Sequence, residues 1–88
     1  MANHKSAIKR ARQSEERRIR NRARKTRMKN VIKSVQEALA SNSRELALEK
    51  LKEAIAVIDK TAAKGVIHKN NASRKISRLS RKVNALAS

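Results

Sequence analysis

Residues 17–33, RRIRNRARKTRMKNVIK, carry nine basic side chains and no acid. The stretch contains neither Pro nor Gly, and Arg, Lys, Ala and Met are good helix formers. Wound at about 3.6 residues per turn, its cations cover most of the circumference. A helix that is polar all round is not held by burying one face against its own domain. It calls for an external anion, and the remaining residues read as a device for presenting it to one.

The rest of the chain supports that reading. Lys and Arg number 24 against 7 Asp and Glu, a net charge of +17 over 88 residues. Such an excess repels itself in a compact state and points to a polyanionic partner. The length suits a single small domain. Cys is absent, which excludes a disulfide framework, a zinc knuckle and a thiol nucleophile. No apolar run nears the roughly 18 residues of a membrane span, and no signal-peptide core follows the N-terminus, so a soluble cytoplasmic protein is expected. Phe, Trp and Tyr are also absent. Folds that stack bases on aromatic platforms are thereby disfavoured.

Residues 1–5 read as a tail, with Asn3 or Ser6 as the cap of a first helix spanning about 6–40. Its apolar stripe is confined to the second half: Met28, Val31, Ile32, Val35, Ala38 and Leu39. Followed backwards, the same face meets Arg24 and Arg17. The core therefore ends near Met28, and the basic half projects beyond it. Residues 41–43 form a break, where Asn42 followed by Glu45 fits a capping-box variant. A second helix is expected over about 43–64, with a seam of Leu48, Leu51, Ile55, Ile58 and Ala62, and Leu46 and Ala47 alongside. Gly65, the only glycine, stands where a left-handed C-terminal cap belongs. A third helix over about 69–87 carries Ala72, Ile76, Leu79, Val83 and Leu86. Short connections make neighbouring helices antiparallel. The fold class expected is all-α: a three-helix up-down-up bundle with a long first helix whose basic N-terminal half overhangs it.

Charge is segregated along the chain. Residues 1–33 hold 13 basic and 2 acidic side chains, residues 34–60 hold 4 and 5, and residues 61–88 hold 7 and none. The polyanion should meet Arg12, Arg18, Arg20, Arg22, Arg24, Lys25 and Arg27 on the first helix. On the third helix it should meet the flank of Arg74, Arg78, Arg81 and Lys82. It should avoid the Glu45, Glu49 and Glu53 stripe of the second. Arginine outnumbers lysine in the rod, which suits forked contacts to phosphate.

Rival readings fail on particular residues. A membrane-surface helix needs a wide apolar face, and the basic half offers only Ile19 and Ala23 on a narrow strip. A basic zipper needs several heptads, but the run from Met28 to Leu39 is short and ends at a turn. His4 and His68 without Cys make no zinc site, and His68 with Asp59 lacks a third catalytic member. No metal, cofactor or enzymatic activity is expected. A histone-like DNA-compacting protein remains as an alternative from composition alone, since salt-dependent phosphate binding is common to both.

Two motifs narrow the choice. One is the opening Ala2-Asn3-His4-Lys5-Ser6-Ala7-Ile8-Lys9-Arg10 with Gln13, Arg17 and Asn21. The other is Lys64-Gly65-Val66-Ile67-His68-Lys69-Asn70-Asn71-Ala72-Ser73-Arg74. Together they resemble the family of the bacterial small-ribosomal-subunit protein twenty, over essentially the whole chain. The resemblance implies a non-enzymatic structural protein bound to 16S ribosomal RNA in the lower body of the small subunit. It places the first helix among helices of the RNA's 5′ domain and near the long penultimate helix. It carries over Lys5, Ser6, Lys9, Arg10, Arg17 and Asn21 from the opening motif, and His68, Lys69, Asn70 and Arg74 from the second, as RNA-contacting residues. A monomer within the ribosome follows, with other small-subunit proteins as possible neighbours and neither membrane nor DNA as a partner.

Overall fold

The computed structural model describes residues 2–87, with side chains for 5–86. Three helices follow one another: α1 (Ala2–Ala40), α2 (Arg44–Ala63) and α3 (Lys69–Ala87). Among the described residues there is no strand. Helix α1 begins at Ala2, so residues 2–5 are its first turn rather than a tail, and neither Asn3 nor Ser6 caps it. Both are tolerated early in a helix, and the neighbouring Ala2, Lys5 and Ala7 favour it. Met1 lies outside the described residues.

Both interhelical turns close by the same device. Ser43 N donates to Ala38 O at 3.4 Å and Asn42 N to Leu39 O at 3.1 Å. Val66 N donates to Thr61 O at 3.2 Å and Gly65 N to Ala62 O at 2.9 Å. These paired bonds are Schellman closures, which need a left-handed residue just past the helix. Gly65 supplies it at φ 75 and Asn42 at φ 56. Asn42 thus ends α1 instead of capping α2. The cap of α2 is Ser43, whose side chain accepts from Leu46 N at 3.4 Å.

The core is one cluster drawn from all three helices. Helix α1 gives Met28, Val31, Val35 and Ala38; α2 gives Ala47, Leu51, Ala54, Val57 and Ile58; α3 gives Ala72, Leu79 and Val83. Ile58, Val35 and Val83 are its largest fully buried side chains. Each contributes about 1.5–3 kcal/mol by leaving water. On α2 the buried line runs through Ala47, Leu51, Ala54, Ile58 and Thr61. The expected Leu48, Ile55 and Ala62 are its half-buried flank, and Leu46 is 40% exposed. Helix α2 packs against both α1 and α3, so its buried face is wider than a two-helix seam. The fully buried alanines let neighbours approach closely. Thr61 joins the line because its hydroxyl donates to Val57 O at 2.7 Å, satisfying itself within the helix.

No described side chain of α1 before Met28 is buried. The molecule extends 67 Å along its long axis and 22 and 13 Å across. Its radius of gyration is 17.8 Å, against about 12 Å for a compact chain of this length. The basic half of α1 is therefore an arm outside the bundle.

Candidate nucleic-acid interface

Among the described residues, the side-chain hydrogen bonds of the arm are all local. Arg18 Nη2 donates to Glu15 Oε1 at 2.8 Å, Arg24 Nη1 to Asn21 Oδ1 at 3.3 Å, and Thr26 Oγ1 to Arg22 O at 3.0 Å. The Arg18–Glu15 pair is well exposed, so it contributes little to stability. The other ion pair among the described residues is Lys50–Glu53 at 4.0 Å, on α2. Among the described residues, the arm's remaining Lys and Arg side chains have no carboxylate partner.

Lys5, Ser6, Lys9, Arg10, Arg12, Arg17, Arg18 and Arg20 are all exposed, as are Arg22, Lys25 and Arg27. Asn21 and Arg24 are half-buried. Around them Ser14, Arg17, Arg18, Asn21, Arg22 and Lys25 line a shallow groove along the arm. The exposed outer strip includes Ile8 and Ile19, at 51% and 59% exposure.

The turn after α2 leads into the second group. Ile67 packs against the core, which fixes the start of α3. His68 precedes its first turn, and its Nδ1 accepts from Asn70 N at 3.1 Å. An imidazole here does what Ser or Asn does at most N-caps. Lys69, Asn70, Arg74, Arg78, Arg81 and Lys82 are exposed along α3. Glu45, Glu49 and Glu53 are exposed on α2.

The base of the arm and the end of α2 meet at one end of the bundle. Arg24 and Arg27 of α1 and Lys60, Thr61 and Lys64 at the end of α2 line a single open cleft of about 550 Å³, walled by Ala56 and Val57. Lys64 opens the second motif, and its helix end is thereby set beside the base of the arm. Lys60 was not among the residues expected from sequence to meet a polyanion. Its spacing of four from Lys64 was the available signal, hidden because the basic and acidic side chains of α2 cancel, four against four.

An all-α bundle with a projecting, acid-poor helix has the build of a nucleic-acid-binding protein. Among the described residues no helix is long and apolar enough to cross a membrane. The sequence profile of ribosomal protein S20 matches residues 2–84, and the chain belongs to that family. It is 78% identical over 86 residues to small ribosomal subunit protein bS20 of Syntrophobacter fumaroxidans, covering 98% of this chain and 100% of that one. It is 56% identical over 87 residues to the bS20 of Desulfatibacillum aliphaticivorans, with 99% of each covered. Identity to the bS20 of Trichlorobacter lovleyi is 58% over 86 residues, 98% of this chain and 99% of that one.

Proposed function

We propose that this chain, a non-enzymatic structural constituent of the cytoplasmic small ribosomal subunit, binds the 5′-domain region of 16S ribosomal RNA and stabilises its compact fold by charge neutralisation. The observation that carries the reading is the arm: a helix with no buried side chain among the described residues before Met28, and 11 Lys and Arg residues among positions 1–27. Such a rod fits a crevice between RNA helices. There it lowers phosphate repulsion and brings the helices together. RNA duplexes are recognised chiefly by shape, phosphate and 2′-hydroxyl groups, so arginines without aromatics are adequate chemistry. Arg74, Arg78, Arg81 and Lys82 offer a second line of contact, with His68, Lys69 and Asn70 at its start. The protein acts there as a monomer.

Crosslinking in cells, followed by sequencing of the attached RNA, tests this. Enrichment of 16S 5′-domain sequences is expected. A spread over unrelated RNAs, or co-sedimentation with the nucleoid instead of small subunits, would favour the histone-like alternative.

A further inference from the structure

We infer that the cleft at the base of the arm is a phosphodiester-binding site in which α2 holds the RNA backbone together with α1. The inference rests on the RNA-binding reading above and extends it to α2, a helix with no net charge and an exposed stripe of Glu45, Glu49 and Glu53. Arg24 and Arg27 stand on one wall, Lys60 and Lys64 on the other. None of the four has an ion-pair partner among the described residues.

The bland explanation is that Lys60 and Lys64 offset the negative end of the α2 dipole. A helix C-terminus carries roughly half a negative charge. Four cations around one cleft exceed that about eightfold, and the two arginines come from a different helix. Their mutual repulsion is left uncompensated until an anion enters. The volume of about 550 Å³ falls within the roughly 300–1,000 Å³ of ligand sites. Arg27, Ala56, Lys60 and Lys64 on its walls are exposed, which suits a passing strand better than an enclosed small molecule. Its walls sort by chemistry: guanidinium and ammonium groups for phosphate, and the methyls of Ala56 and Val57 for the apolar face of a ribose. The absence of any aromatic residue leaves nothing to stack a base. Backbone recognition without base selection follows.

The experiment measures affinity of the full chain for a 16S 5′-domain transcript over a series of salt concentrations. Lys60→Gln with Lys64→Gln is compared with Arg44→Gln with Lys52→Gln, which removes equal charge from exposed positions elsewhere on α2. Each lost phosphate contact flattens the slope of log affinity against log salt by about 0.7–0.9. The cleft pair should flatten it by about 1.4–1.8 and the control pair by less than half as much. Lys60→Arg with Lys64→Arg should restore the original slope. Equal slopes in the two glutamine pairs, or no rescue by arginine, would overturn the cleft and leave the arm as the binding element. Suppression of the difference by millimolar inorganic pyrophosphate, but not by sulfate, would make free polyphosphate the occupant and overturn the RNA assignment. A wild-type chain without salt-dependent binding would overturn both this site and the function it rests on.

Discussion

Arg24 donates through Nη1 to Asn21 Oδ1 at 3.3 Å, and these two are the half-buried side chains at the root of an otherwise exposed arm. The bond lies one turn before Met28, the first buried residue of α1. It holds the guanidinium along the helix with its remaining donors free. Asn21→Ala should loosen Arg24 without removing charge. RNA affinity should fall two- to five-fold with the salt slope unchanged, whereas Arg24→Gln should lower both affinity and slope. Equilibrium binding at two salt concentrations separates the two.

Arg17, Arg20 and Arg24 continue the bundle's inner face along the arm. Replacing all three by Gln keeps helix propensity and removes three charges. The salt slope of RNA binding should become shallower by roughly two to three units, with impaired subunit assembly. Replacing Glu45, Glu49 and Glu53 by Gln should leave affinity unchanged or raise it. Weaker binding in the glutamate triple alone would reverse the orientation proposed.

An isolated helix in water is marginal without tertiary packing, and no described side chain of the arm is buried. In the free protein, amides of residues 5–24 should exchange close to unfolded rates, while those of the bundle from Met28 to Leu86 are protected. Hydrogen exchange read residue by residue checks this. Strong protection at residues 17–24 would mean that the arm is stable on its own.

The bundle is small enough for single core changes to matter. Ile58→Ala should cost about 2–5 kcal/mol, and Leu51→Ala, at 8% exposure, somewhat less. Ile76→Ala should cost less again, since Ile76 is only half-buried. Thermal melts with and without RNA give the order, and RNA should partly rescue each variant by mass action.

Much of this was legible in the residues because burial has a period. The α1 stripe from Met28 to Leu39 and the α3 line from Ala72 to Leu86 were readable from three-four spacing alone. On α2 the same rule favoured the bulky Leu48 and Ile55 over Ala47, Ala54 and Thr61, which lie nearer the centre. Small residues at a close helix approach and a threonine bonded to its own backbone carry no hydrophobic signal. The cleft escaped notice for another reason. It joins Arg24 to Lys64 across forty positions, and only the antiparallel return of α2 brings them together.

The two left-handed turn residues should differ in their tolerance. A Cβ on Gly65 would meet nothing within 4 Å, so the cost of Gly65→Ala is purely conformational, about 1–2 kcal/mol. Gly65→Asn should cost less, since Asn already holds φ 56 at position 42. Asn42→Gly should be neutral or slightly stabilising. Denaturant midpoints of the three variants test the order.

The cap of α3 should separate in the same way. His68→Ala removes the acceptor for Asn70 N and should cost about 0.5–2 kcal/mol, whereas His68→Asn keeps an acceptor and should cost little. A melt that ranks the two equally would show that the imidazole does not cap the helix.

The arm's place ahead of the helices that form the bundle has a consequence for synthesis. Met28 and the other core residues of α1 find their cover only when the core residues of α2, Ala47 to Ile58, have been made. At about 5–20 residues per second that is a wait of roughly 2–6 s. During it the nascent chain exposes its most cationic third before α2 can pack against α1. Newly made copies are therefore most open to capture by the wrong RNA before α2 exists, and the turn at Asn42 sets when that window begins to close.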